Sequence, residues 1–62
     1  MNPLKEKLQD NKLQDLAEES GLSRNTIRAI SRMTLEELGG IRLKNYLIIK
    51  NELGVDLLVW NK

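Results

Sequence analysis

The chain has no cysteine, no histidine and no phenylalanine, one proline, and only two aromatic residues, Tyr46 and Trp60. Each absence removes a class of function. Without cysteine there is no disulfide framework and no thiolate to hold a metal or act as a nucleophile. Without histidine the usual imidazole base and ligand are missing too, so zinc fingers and Cys- or His-based catalytic systems are excluded. Two rings are too few for a binder of single-stranded nucleic acid, which stacks successive bases on several exposed aromatics. No apolar run approaches the roughly 20 residues that cross a bilayer, and the first residues lack the pattern of a signal peptide. The expected setting is a reducing cytoplasm.

What is present describes a small helical protein. With 62 residues there is one domain at most, covering 1–62, and its core must be built from leucine and isoleucine. A domain of this size buries only about 60% of the surface its unfolded chain exposes, so it depends on close helix packing or on a partner. The net charge is +1, but the distribution is uneven. Residues 1–21 carry three lysines and five acids, residues 22–32 carry three arginines and no acid, and residues 33–62 carry four bases and four acids. A local excess of one sign is what a small nucleic-acid footprint shows.

Helix punctuation is readable along the chain. Asn2-Pro3 starts a first helix, with Asn at the N-cap and Pro at the first helical position; Leu4 and Leu8 share a face. Asp10 and Asn11 interrupt, and are placed to cap a second helix of about 12–20. In that helix Leu13, Leu16 and Ala17 line the buried side while Gln14, Asp15, Glu18 and Glu19 face water. Gly21 suits a left-handed C-terminal turn. Ser23 caps a third helix of about 23–32 whose core face is Ile27 and Ile30, with Leu22 beneath. Thr34 to Glu37 is a capping box opening a short helix stopped by Gly39-Gly40. A last helix runs from about Ile41 to Leu53 and ends at Gly54. Val55–Trp60 is apolar enough to demand burial, as helix or as strand. The fold expected is all-α, a compact bundle of about four to five short helices.

Ala17, Gly21, Ile27 and Ile30 together suggest a helix-turn-helix, which sets its second helix into the major groove. At 100° per residue Arg24, Asn25, Arg28 and Arg32 lie opposite the two isoleucines, with Ala29 and Ser31 along the edges. Arg can pair with guanine O6/N7, Asn with adenine N6/N7, and an alanine methyl can meet a thymine methyl. The alternative for the arginines alone is a plain solvated face. Lys12, Arg42 and Lys44 could clamp flanking phosphates, or be ordinary surface cations. The pairs Glu18/Glu19 and Glu36/Glu37 are adjacent on helices, do not face one another, and read as solubilising surface. No catalytic residue, metal site or cofactor is expected.

The stretch "LQDLAEESGLSRNTIRAI" resembles the helix-turn-helix of the phage Cro and repressor (XRE-type) family, and locally the lactose-repressor headpiece. The tail "IRLKNYLIIKNELGVDLL" resembles the XRE-type ending, so the likeness covers roughly residues 4–58. It implies base contacts from Arg24, Asn25, Arg28 and Ala29, and phosphate contacts from Ser23, Thr26 and Arg32, to which Lys12 and Lys44 are added as flanking clamps. Many family members begin helix two with a glutamine that braces the recognition helix; here Leu13 stands there, leaving the brace missing or supplied by Lys12 or Gln14. The "TLEELGG" segment is an addition whose glutamates would repel phosphate if they faced it.

In the last helix Leu43, Tyr46, Leu47 and Leu53 form one apolar stripe, and Ile41, Ile48 and Ile49 spill beyond it. Either a tiny core surrounds this helix, or the excess, with Val55, Leu57, Leu58 and Trp60, is a surface for self-association. Ile48, Ile49, Leu58 and Trp60 are therefore the candidate dimer or partner interface. The expected function is a stand-alone regulator of phage or plasmid type that binds double-stranded operator DNA as a homodimer and acts by occupancy, without cofactor. The alternative is an antirepressor or protein-interaction module of the same fold.

Overall fold

A computed structural model describes residues 1–60; the last two residues of the expected domain, 61 and 62, lie outside that range. Five helices follow one another: α1 (Pro3–Asp10), α2 (Leu13–Ser20), α3 (Arg24–Ser31), α4 (Leu35–Leu38) and α5 (Leu43–Leu53). Among the described residues there is no strand and no helix long and apolar enough to cross a membrane. The all-α bundle expected from the sequence is what forms.

Local chemistry accounts for most of the boundaries. The Asn2 side-chain oxygen accepts from the Leu4 and Lys5 amides at 2.9 and 3.3 Å, with Pro3 opening α1. Ser23 caps α3 by accepting from the Thr26 amide at 3.1 Å. Thr34 and Glu37 form a reciprocal capping box at the start of α4. Gly21 and Gly54 take left-handed conformations, φ 74° and 67°, where a side chain would be strained. Gly39, by contrast, has ordinary right-handed φ/ψ, so α4 stops there without needing a positive φ.

Three expectations about boundaries are corrected. Neither Asp10 nor Asn11 caps α2. Asn11 closes α1 instead, donating its amide to the Lys7 carbonyl at 3.0 Å, and Lys12 sits at the N-cap of α2 with no side-chain hydrogen bond. α5 begins at Leu43, not at Ile41, with Arg42 as its N-cap. Val55–Trp60 is neither helix nor strand but an irregular segment with a turn at Leu57-Leu58.

Every helix contributes to one aliphatic core: Leu4, Leu16, Ile27, Ile30, Leu38, Ile49 and Leu53, closed by Val55 and Leu57 from the tail. Removing such a side chain from water is worth about 1.5–3 kcal/mol each, which is how so short a chain offsets the entropy of ordering it. α2 lies between α3 and α5, and α1 rests on α3. The register of α5 differs from the expected stripe. Ile49 and Leu53 point inward with Tyr46 half-buried beside them, while Leu43 and Leu47 are exposed.

Two polar devices lock the ends. Asn2, buried, not only caps α1 but donates its side-chain amide to the carbonyls of Ile30 at 2.8 Å and Met33 at 3.0 Å, joining the start of α1 to the end of α3. Asp56 ties the tail to α5: its Oδ1 accepts from the Leu58 amide at 3.0 Å and from the Tyr46 hydroxyl at 2.9 Å, and Lys50 stands 3.8 Å from its Oδ2. The Leu58 amide first, then the Tyr46 hydroxyl, hold the Asp56 carboxyl below its ordinary value; burial opposes them, and the Lys50 charge adds a smaller lowering effect. The same hydrogen bond, aided by burial and by the Asp56 charge, raises Tyr46 above its ordinary value.

Candidate nucleic-acid interface

α3 is an amphipathic helix whose inward residues are Ile27, Ile30 and Ser31. Arg24, Asn25, Arg28, Ala29 and Arg32, the last at its C-cap, are all exposed. Ser31 was expected on the edge of this face and is corrected. It is buried, and its hydroxyl donates to the Arg28 carbonyl at 2.7 Å. A small side chain that returns its hydroxyl to its own helix lets α3 approach its neighbours at that point without stranding a polar group.

The start of α3 is more committed than the sequence suggested. The hydroxyls of Ser23 and Thr26 lie 2.8 Å apart, one donating to the other, while Ser23 also accepts from the Thr26 amide. One hydroxyl hydrogen of the pair is left over for an outside acceptor. The Arg24 and Asn25 amides, ahead of Thr26, have no acceptor within the helix. Together these groups make a donor-rich end, the usual environment for an anion.

The side chains of α3 do not act alone. Lys12 at the start of α2, Arg28 and Arg32 line one cleft of about 550 Å³, over a floor that includes Leu8, Leu13 and Ser31. Asp10 is the one carboxylate on its wall. Among the described residues the only ion pair is Lys50 with Asp56, so Lys12, Arg24, Arg28 and Arg32 have no carboxylate at ion-pair distance. Four unpaired cations on adjoining elements leave a positive surface whose charge is not internally neutralised. At the N-terminal end of α3, Gln14, Glu18, Ser23 and Arg24 line a second cleft of about 490 Å³, where Gln14 donates to Glu18 at 3.3 Å. Gln14 is thus held along α2, and Lys12, at the N-cap of α2, is the cation that shares a cleft with Arg28 and Arg32. Lys44, exposed in the first turn of α5, lies outside both clefts. Glu37 is occupied in its capping box, its side chain accepting from the Thr34 amide at 3.0 Å, so it serves a local structural purpose.

The candidate interface residues divide. Ile49 is fully buried at 0% exposure and belongs to the core, not to an interface, because it faces inward together with Leu53. Ile48 and Trp60 are half-buried, and the Trp60 ring nitrogen donates to the Leu57 carbonyl at 2.7 Å. Leu58 is exposed. The exposed apolar residues of α5 are Leu43 and Leu47, which sequence reasoning had put inside. Asn2 was also read too narrowly. Its long-range bonds to α3 carried no sequence signal, since an N-cap asparagine looks the same with or without them. Comparison of the chain with protein-family models, with curated proteins and with solved structures finds no match.

Proposed function

We propose that this protein is a sequence-specific binder of double-stranded DNA and a transcriptional regulator of the Cro/repressor type, with α2 and α3 acting as a helix-turn-helix. The carrying observation is the exposed face of α3, three arginines without a carboxylate partner among the described residues, on a helix anchored by Ile27 and Ile30. Arg24, Asn25, Arg28 and Ala29 read base edges in the major groove. Lys12, Arg32, Lys44 and the donor-rich start of α3 at Ser23 and Thr26 hold phosphates. Lys12, Arg28 and Arg32 share one cleft, which suits phosphate contacts made close to a base contact. Regulation is by occupancy: a homodimer seated on a two-fold operator in the cytoplasm excludes polymerase or a competing repressor.

The test is selection of duplexes from a random pool at moderate salt, beside an Arg24→Ala/Arg28→Ala variant. Enrichment of one site, lost in the variant, is the expected result, because each bidentate Arg–guanine pair is worth about 1–3 kcal/mol of discrimination. Weak, salt-sensitive retention shared by both proteins would refute it.

A second reading, a module of the same fold that binds another regulator, is favoured by the exposed leucines of α5. It predicts that DNA selection fails while substitutions on α5 abolish binding to a partner protein.

A further inference from the structure

Glu18 takes no part in the DNA contacts assigned to α3, yet it is the one carboxylate on the cleft at the start of that helix. The cleft is lined by Gln14, Ala17, Glu18, Leu22, Ser23 and Arg24. Glu18 and Arg24 are both exposed. Among the described residues the only ion pair is Lys50 with Asp56, so these two share the cleft without being closed on one another. We infer that Glu18 is a positioning residue for Arg24. When Arg24 reaches a guanine, the Glu18 carboxylate accepts from the edge of the guanidinium that the base leaves free. The role rests on the operator-binding reading of α3, and it names what makes one of the base contacts selective.

Three features of the cleft support it. Each of the two charges is misplaced on its own helix. Arg24 is the first residue of α3, whose first turn holds no acid, and the partial positive charge of a helix start disfavours a cation there. Glu18 lies in the last turn of α2, which holds no base, where the partial negative charge disfavours an acid. Each is therefore the countercharge that the other's helix end lacks. Only residues 21–23 separate the two helices, which pack against each other. The carboxylate is also held in place. Gln14, one turn earlier on α2, donates to its Oε1 at 3.3 Å, and a carboxylate so held keeps its second oxygen for another donor. Finally, the walls between them include Ala17 and Ser23, whose small side chains leave room for a guanidinium to swing.

The chemistry gives Glu18 an effect opposite to that of an ordinary surface acid. A guanidinium has five N–H donors in a planar fork. A bidentate contact to guanine O6/N7 uses two of them, and a carboxylate on the remaining donors holds the fork in the plane of the base. On any other base the fork lacks its matching pair of acceptors, and Glu18 then keeps Arg24 from turning to a nearby phosphate. The carboxylate thus weakens binding to DNA at large while widening the gap between right and wrong sites. Glu19 is exposed as well, but lines neither of the clefts beside α3. It repels DNA and positions nothing.

The experiment compares Glu18→Gln with Glu19→Gln, which remove the same charge from neighbouring exposed positions, with circular dichroism to check folding. The duplex preferred by the parent protein is first selected from a random pool. Each protein is then titrated with that duplex, with its single-base variants and with random duplex. Both variants should bind random duplex more tightly than the parent, through lost repulsion. Only Glu18→Gln should also relax a guanine preference, at the position that Arg24→Ala relaxes, by at least about threefold, toward the low end of couplings between contacting side chains. Added to Arg24→Ala, it should change that preference no further. A Glu18→Gln protein with the parent's preference at every position overturns the positioning role and leaves Glu18 a solvated charge. So does a loss spread evenly over all positions, or one that persists when Arg24 is already alanine. A parent that selects no duplex refutes operator binding itself, and the role of Glu18 falls with it, an outcome distinct from the other three.

Discussion

Replacing Asn2 by aspartate changes one amide to a carboxylate of nearly the same shape, and so separates the two jobs of this side chain. As an N-cap, Asp is as good as Asn, and its charge is favourable at a helix start by about 0.3–1 kcal/mol. If capping were all that Asn2 did, Asn2→Asp would be neutral or slightly stabilising. The structure says otherwise. The side-chain amide donates to the Ile30 and Met33 carbonyls at 2.8 and 3.0 Å in a site only 5% exposed. A carboxylate cannot donate, so the Met33 carbonyl loses this partner, the Ile30 carbonyl keeps only the Met33 amide at 3.1 Å, and both face a negative charge. A lost hydrogen bond costs about 0.5–1.5 kcal/mol and an acceptor left without one about 1–3 kcal/mol, so the net loss at neutral pH comes to about 1–4 kcal/mol after the gain at the cap. A chain of this length is stable by only about 3–9 kcal/mol, so the variant is close to unfolding. Asn2→Ala, which also loses the cap, should fall in the same range. Acidification distinguishes them. Burial against carbonyls raises the pKa of the new carboxyl in the folded state, so its destabilisation is full at neutral pH and relaxes as the pH falls through that raised value. Once protonated, the group regains one donor and part of the loss. Urea unfolding followed by circular dichroism at neutral and mildly acidic pH measures both effects. An Asn2→Asp protein within about 0.5 kcal/mol of the parent at neutral pH would refute the clamp, that being the spread of inconsequential surface substitutions.

The other predictions are shorter. Lys12→Ala should weaken binding to all duplexes nearly alike and flatten the dependence of log K on log salt by about 0.9, whereas Arg28→Ala should relax the preference at one base position; titrations at several salt concentrations separate the two. Gly21→Ala meets no atom within 4 Å of its new methyl, so its cost is the left-handed backbone alone, about 1–2 kcal/mol, and a much larger loss in a melting experiment would mean that the turn packs more tightly than described. Asp56 has a lowered pKa in the folded protein, so its contribution to stability is full above its ordinary value of 3.8 and is lost as the pH falls through the lower folded value. Tyr46 is raised, so its contribution is full below 10.0 and is lost as the pH rises beyond it. Tyr46→Phe should abolish the alkaline loss and reduce the acid one in a pH series of unfolding free energies; an unchanged alkaline limb would count against the hydrogen bond.

What could be read from the sequence and what could not differ by range. The Ser23 and Asn2 caps, the Thr34–Glu37 box and the turns at Gly21 and Gly54 are interactions over a few residues, and the residue types that make them are restricted. Asn11 was misread because its amide suits the end of one helix as well as the start of the next, and only the path of the chain decides. α5 was harder. Leu43, Tyr46, Leu47, Ile48, Ile49 and Leu53 surround the helix so completely that its period admits more than one inward face. The face was chosen by packing against α2, which no local pattern records. On α3 the arginines were legible as a set because only Ile27 and Ile30 compete for the inside. Their grouping with Lys12 across a cleft was not, since it depends on how α1 and α2 meet.

The core of this protein contains no aromatic ring, and its one indole is half-buried in the tail, hydrogen-bonded to Leu57. Its intrinsic fluorescence therefore reports on the segment after Gly54, which Asp56 fastens to α5, and only indirectly on the helices. Release of that segment would change the emission of Trp60 while helical circular dichroism stayed constant. Leu58, exposed, belongs to the same segment, so the natural optical signal of the chain is stationed in the tail after α5 and not on α3, which carries the arginines.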